Sequence, residues 1–207
     1  MQGVVGQFVK EDVAIDVFKT GRGRPWGEHH ECCFCGTERF FRPAYAGHLL
    51  DEWIPAMTGV EEKLKMGAKV ADIGCGLGTS SMLMAEQYPN STIHAFDFHE
   101  PSIEEAKKRA EDKGLSNLEF FVSDAAAIPN ESYDLACIFD AWHDMGDPVG
   151  IAKSIKETLA DDGTFMVVEP MALDGLKNNI DNNPGASMFY GFLTIICVPA
   201  SKAQPGG

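Results

Sequence analysis

The sequence has no second cysteine pair to set beside Cys32 and Cys35, no run of about 20 apolar residues, no excess of positive charge and no internal repeat. A structural zinc site draws on two ligand pairs. The stretch GEHHECCFC at 27–35 offers His29, His30, Cys32, Cys33 and Cys35 but only one C-x-x-C. His29 and His30 are adjacent and point to opposite sides of an extended segment, so no metal is expected. A thioredoxin-like redox pair is a minor alternative, because Gly36 and its irregular surroundings do not supply the strand-helix context that motif uses. Cys75, Cys137 and Cys197 stand isolated, which is not the pattern of a disulfide framework, and the cytoplasm is the expected compartment.

The missing apolar run excludes a membrane span. The longest uncharged stretch, 182–201, is interrupted by Asn183, Pro184, Gly185, Ser187 and Pro199 and keeps an apolar centre of about 12 residues. It reads as a buried helix. Near the N-terminus Lys10, Glu11 and Asp12 break any signal-like run, so no secretion signal is expected. With 17 Lys+Arg against 31 Asp+Glu the net charge is −14, which repels nucleic acid and anionic membranes and suits a small, cationic ligand.

What the chain does have is alternation. KVADIG (69–74), STIHAFDF (91–98), NLEFFVSD (117–124), YDLACIFD (133–140) and TFMVVEP (164–170) read as strands. Between them lie helical stretches at 79–89, 102–114 and 147–163, the second with Ser102 as its N-cap and Gly114 at its stop. Strand and helix at this spacing predict an α/β fold, a doubly wound Rossmann-like parallel sheet with right-handed crossovers. Its ligands belong at the carboxyl ends of the strands. Residues 1–66 form an irregular cover followed by broken helices, and residues 67–207 carry the sheet, within one domain.

The first strand runs into Asp72-Ile-Gly74-Cys-Gly76-Leu-Gly78 and then a helix, so glycines let backbone approach a ligand beside a helix N-terminus. Asp97 ends the second strand, at an offset where a carboxylate holds both hydroxyls of an adenosine ribose. A dinucleotide fingerprint would place its third glycine at position 79, which is Thr79. A nicotinamide-dependent oxidoreductase is therefore the minor alternative.

ADIGCGLGTS, FDFHEPSI and FDAWHDMGDPVG together resemble class I S-adenosylmethionine-dependent methyltransferases, in particular a bacterial subgroup with a winged-helix-like N-terminal domain. The resemblance implies S-adenosylmethionine as cofactor. It assigns Gly74, Gly76 and Gly78 to the turn under the methionine part, Asp72 to its amino group, Asp97 to the ribose, and Phe98 to the adenine face. Asp124, with Ala125 after it, falls to the adenine amine, and Asp140 borders the sulfonium. Carboxylates and aromatic faces complement the two positive groups of such a cofactor.

The same resemblance makes His143 the general base for a hydroxyl acceptor, although Met145 stands where the related His-Asp-Trp segment has tryptophan. The expected acceptor is a small molecule in a pocket walled by aromatics of the cover and the last helix. Cys32, Phe34 and Cys35 are expected as apolar lining, with His29 or His30 as a rival base. The family sheet has seven strands and this sequence shows five. The chain thus resembles a partial enzyme, completed by homodimerisation, or a cofactor-binding remnant without catalysis.

Overall fold

A computed structural model describes residues 2–207 and shows a five-stranded, wholly parallel sheet in the order β3-β2-β1-β4-β5. The strands are β1 (Lys69–Ile73), β2 (Thr92–Asp97), β3 (Leu118–Val122), β4 (Tyr133–Phe139) and β5 (Leu159–Val168). The doubly wound expectation holds, and the strand order reverses between β1 and β4, where such sheets bind ligands.

Two-sided burial explains the near-continuous apolar runs of the central strands. Along β4, Leu135, Cys137 and Phe139 face one core with Leu64, Val70 and Met84, whereas Ala136 and Ile138 face another with Ile73, Phe96 and Ile155. Burying each of the leucine, isoleucine, valine, methionine and phenylalanine side chains there stabilises the fold by about 1.5–3 kcal/mol. Truncating fully buried Leu64 to alanine would cost roughly 2–5 kcal/mol.

The connecting helices are α5 (Thr79–Gln87), α6 (Glu100–Asp112) and α7 (Pro148–Thr158). Two expectations are corrected here. Helix α6 begins at Glu100 with His99 as its cap residue, because Pro101 favours the first turn, and the Ser102 hydroxyl pairs with His99 Nδ1 at 2.8 Å instead of capping. Helix α7 ends at Thr158 rather than Gly163. Residues 159–163 instead form an irregularity in β5, where Leu159 opposes Tyr133 and Thr164 opposes Leu135. That arrangement leaves Asp161 and Asp162 exposed, with Asp162 paired to Lys63 at 2.7 Å.

Most of the cover is helical rather than irregular; only 21–30 keeps the expected irregular course, with a single 3-10 turn at Trp26–Glu28. Helices α1 (Gln2–Val9), α2 (Glu11–Thr20) and α3 (Glu31–Ala44) lead into a π-helical segment, Tyr45–Trp53, and then α4 (Val60–Met66). After β5 come α8 (Leu176–Asn182), α9 (Ala186–Phe192) and, past a π-turn at Leu193–Cys197, α10 (Val198–Lys202). Cys33 of α3 packs with Ile196 and Cys197, so both ends of the chain close together over the sheet. A Cβ on Gly36 would stand 2.3 Å from the Gly3 nitrogen, which is why α1 and α3 cross so closely. No helix among the described residues is long and apolar enough to cross a membrane.

Candidate functional site

Two cavities meet above the β1/β4 switch point. The first, of about 170 Å³, is lined by Gly74, Gly76, Asp97, Phe98, Asp124, Ala125 and Asp140. The second, of about 300 Å³, is walled by Phe40, Phe41, Phe189, Phe192 and Ile196 and carries His143 and Glu169. Trp26, Thr37, Phe41, Asp140 and Asp144 belong to both walls.

The first cavity is held by local backbone contacts. Asp97 Oδ2 accepts the Gly76 N–H at 2.8 Å and its Oδ1 accepts the His99 N–H at 2.8 Å, leaving one lone pair on each oxygen for a ligand. Burial pushes the Asp97 carboxyl above its usual range against those two hydrogen bonds. Asp124 caps a short 3-10 turn, its Oδ1 accepting the Ala126 N–H at 2.8 Å. Gly74 has φ +74°, and a Cβ there would lie 2.9 Å from that of Ala141, so glycine is what lets the first turn pass under the end of β4.

Two of the residues expected against the ligand lie beneath the floor. Gly78, φ +77°, starts α5 and leaves room for the Phe120 ring, which an added Cβ would meet at 2.8 Å. Asp72 is buried and accepts the hydroxyls of Ser80 at 2.6 Å and Ser81 at 2.5 Å, while its Oδ1 has no partner. Burial raises its pKa to about 6 despite the two serines. A buried carboxylate oxygen left without a donor, next to a cavity lined by Ser80, suits a positively charged group above it.

The second cavity is held by contacts between distant segments. Asp140, the residue just past β4, has φ +52°, a strained conformation for a residue with a side chain, and its Oδ2 accepts the Tyr45 hydroxyl at 2.7 Å. Tyr45 opens the π-helical segment, a distortion that often marks functional sites. Burial raises the Asp140 pKa to about 6, Tyr45 pulling it down and Glu169 pushing it up.

Glu169, just past β5, clamps the short turn at 142–144. Its Oε1 accepts the Trp142 N–H at 2.7 Å, and its Oε2 pairs with His143 Nδ1. Burial opposes the charge on His143, but the Glu169 bond and the fields of Asp144, Glu169 and Asp140 outweigh it and lift its pKa above the ordinary imidazole value. With Nδ1–H directed at Glu169, Nε2 keeps a free lone pair when the ring is neutral. His143, Asp144 and Cys197 also bring ligand-type atoms within 4.8 Å of one another.

Sequence reasoning missed Glu169, Asp144, Glu38 and the Tyr45 bond. Glu169 was open to discovery, since it repeats the pattern of an acid at a strand's carboxyl end shown by Asp97, Asp124 and Asp140. Glu38 was not: it reaches from α3 to accept the Thr79 hydroxyl at 3.0 Å, tying the cover to the glycine turn.

The opening cysteine-histidine stretch is corrected in part. Phe34 lines the first cavity, but neither Cys32 nor Cys35 lines either one, and Cys33 between them is the buried thiol. The segment is helical from Glu31, so its inward face is not that of an extended strand. His30 caps α3, accepting the Cys32 N–H at 3.2 Å. His29 is buried against Gln7, and burial together with Arg24 drives its pKa down to about 3. Neither histidine lines a cavity, so neither rivals His143.

Comparison with known proteins agrees with this geometry. A methyltransferase-domain family matches residues 64–201. Sterol 24-C-methyltransferase erg6 of Aspergillus fumigatus is 28% identical over 172 residues, covering 81% of this chain and 42% of that protein. Ubiquinone biosynthesis O-methyltransferase of Actinobacillus pleuropneumoniae is 34% identical over 105 residues, covering 48% of this chain and 44% of that protein. The chain thus spans less than half the length of these curated relatives. Among solved structures, a putative S-adenosyl-L-methionine-dependent methyltransferase from Methanococcus maripaludis superposes with a TM-score of 0.58 at 22% identity, covering 76% of this chain and 74% of that one. A parallel sheet with a glycine turn at its switch point, acids at successive strand ends, and a family match across most of the chain lead to one assignment: the protein belongs to the class I S-adenosylmethionine-dependent methyltransferases.

Proposed function

We propose that this chain transfers a methyl group from S-adenosylmethionine to a small-molecule acceptor, with His143 removing the acceptor's proton. The observation that carries the reading is the junction of the two cavities: Asp140 and Asp144 belong to both walls, and His143 stands beside that junction. The residues present fit the cofactor. The first cavity is lined by Glu38, Asp97, Asp124, Asp140 and Asp144 and by no lysine or arginine, a wall that suits a sulfonium and an ammonium group. Gly74 and Gly76 would pass under its methionine part, with Asp72 and its unpartnered oxygen near the amino group. Asp97 would hold the ribose, Phe98 the adenine face, and Asp124 with Ala125 the adenine edge; Gly78 would keep the turn close to the sheet. When bound there, the cofactor supplies an electrophilic methyl group on a positively charged sulfur.

The chain's own part is positioning and proton handling. Phe40, Phe41, Phe189 and Phe192 exclude water and hold an apolar acceptor. Glu169 fixes the imidazole so that Nε2 accepts the proton, and Asp144 and Glu169 stabilise the imidazolium that results. Alignment of the reacting atoms supplies the larger share of the acceleration. The relatives named above carry carbon and oxygen acceptors in their names, so acceptor chemistry has to come from this chain's own cavity.

The test is replacement of His143 by alanine. Turnover falls by about 10²–10⁴-fold while calorimetric affinity for S-adenosylhomocysteine is kept. Full turnover in His143→Ala removes the base assignment, and failure to bind S-adenosylhomocysteine removes the reading as a whole.

A further inference from the structure

Charge in the acceptor cavity is nearly all of one sign. Asp140, Asp144 and Glu169 enter it from just past the ends of β4 and β5, and among the described residues no lysine or arginine lines either cavity. His143 is the single basic side chain there, and Glu169 already engages its Nδ1. Asp140 is partnered by Tyr45, and Glu169 by Trp142 and His143. Asp144 is different. Its carboxylate sits beside the Cys197 thiol and 3.4 Å from His143 Nε2, and its Oδ1 has no hydrogen-bond donor of its own among the described residues. Such an oxygen costs about 1–3 kcal/mol, and more when charged, unless a donor answers it.

The rest of the wall is aromatic and aliphatic, and Trp26 stands at the seam between the cavities. An anionic acceptor would meet three carboxylates and no fixed cation. A purely hydrocarbon acceptor would leave Asp144 unanswered. A ligand with an apolar body and one positive, hydrogen-bonding head satisfies both halves of the wall, the head on Asp144 and against the Trp26 face.

Resting on the methyl-transfer reading above, we propose that the acceptor is a hydrophobic amine, bound as its ammonium ion by the Asp140–Asp144–Glu169 carboxylates and methylated on nitrogen. The ammonium gives one proton to neutral His143 Nε2, which frees its nitrogen lone pair. That pair forms the new nitrogen–carbon bond as the carbon–sulfur bond of the sulfonium donor breaks and its electrons stay on sulfur. Positive charge passes from sulfur to nitrogen, and the proton on His143 leaves to water. The carboxylates therefore face a cation before, during and after transfer.

Binding tests this without turnover. The full chain, saturated with S-adenosylhomocysteine, is titrated calorimetrically with four probes on one skeleton: phenylbutylamine, phenylbutyltrimethylammonium, phenylbutanol and phenylbutyrate. The primary amine binds at least about tenfold tighter than the alcohol, the trimethylammonium, which keeps the charge but has no N–H to give Asp144, falls between them, and the carboxylate does not bind. Asp144→Asn removes most of that preference. An alcohol or carboxylate that binds as tightly as the amine overturns the proposal, and so does preferential methylation of a sterol-type alkene over the amine by mass spectrometry. The probe series on the unaltered protein decides the matter even if the variant folds poorly. If S-adenosylhomocysteine binds and no cation preference appears, the acceptor assignment alone falls; if S-adenosylhomocysteine does not bind, the methyl-transfer reading falls with it.

Discussion

The glycine-turn cavity and the aromatic cavity are built by different means. In the first, the acids at the ends of β2 and β3 are held by nearby backbone N–H groups: Gly76 and His99 hold Asp97, and Ala126 holds Asp124. In the second, side chains hold one another across long stretches of sequence, Tyr45 on Asp140 and Glu169 on His143. The first arrangement is set once the sheet forms. The second needs the cover and the C-terminal helices docked, so it is the part that substitutions can rearrange without unfolding the sheet.

The sharpest way to break this contrast is a pair of variants with opposite signatures. His143→Ala lowers the turnover number by about 10²–10⁴-fold with little change in cofactor affinity. Asp97→Ala, by removing charge-assisted bonds, weakens S-adenosylhomocysteine by about 10- to 100-fold in calorimetry. If both variants lose cofactor affinity and turnover in the same proportion, the two cavities are one energetic unit and the contrast is wrong.

A smaller effect lies in pH dependence. The shifts work in the same direction for Asp72, Asp140 and His143. Burial lifts Asp72 and Asp140 from 3.8 to about 6, so the folded chain holds protons there that the unfolded chain has released. Stability from these two is greatest below about pH 4 and is lost as pH rises through about 6. The raised His143 contributes stability below its ordinary value near 6.5 and loses it as pH climbs through the folded value. The unliganded protein should therefore gain less in melting temperature between pH 5 and 7 than its paired surface carboxylates alone would give. Asp140→Asn should recover part of that loss, most clearly at the upper end. Turnover runs the other way, because neutral His143 is needed: it rises with pH through the raised value, and a flat profile would count against the base.

How much of this the sequence displayed follows the same division. The glycine turn, Asp97 and Asp124 were legible because strand period, turn glycines and strand-end acids are short-range signals, set within about 30 residues by the βαβ unit. Asp72 was legible as a site acid, but its side chain turns to Ser80 and Ser81, and which face of a strand an isolated acid takes depends on what packs against it. The cover was not legible. Gly, Arg and aromatic residues over 1–43 suggest irregular chain, whereas the contacts that make α3 helical, Cys33 on Ile196 and Gly36 on Gly3, come from segments far away in sequence. The last turn of α7 failed for a related reason: Leu159-Ala160 followed by a glycine three residues on reads as a helix end, and the pairing of Leu159 with Tyr133 draws the segment into β5 instead.

The smallest effect tests the longest contact. Tyr45→Phe deletes one hydroxyl that bonds Asp140 at 2.7 Å and leaves the ring in place between Phe41, Trp53 and Phe139. The hydroxyl is half of a hydrogen bond to a carboxylate, worth about 1.5–3 kcal/mol when that carboxylate is charged. Burial first, and then Asp140, push the Tyr45 pKa well above the phenol range, so it donates at any working pH and never competes for charge. Without it Asp140 loses the one contact that lowers its pKa from within the cover, and its pKa moves further up. The unliganded variant should melt a few degrees lower above pH 6, where Asp140 is ionised, and nearer to the parent at pH 4, where it is not. Added S-adenosylhomocysteine leaves the Tyr45 difference in place, because no positive sulfur arrives to replace the lost donor, whereas S-adenosylmethionine narrows it. Equal narrowing by both ligands would mean that Asp140 answers to cover packing rather than to the charge beside it.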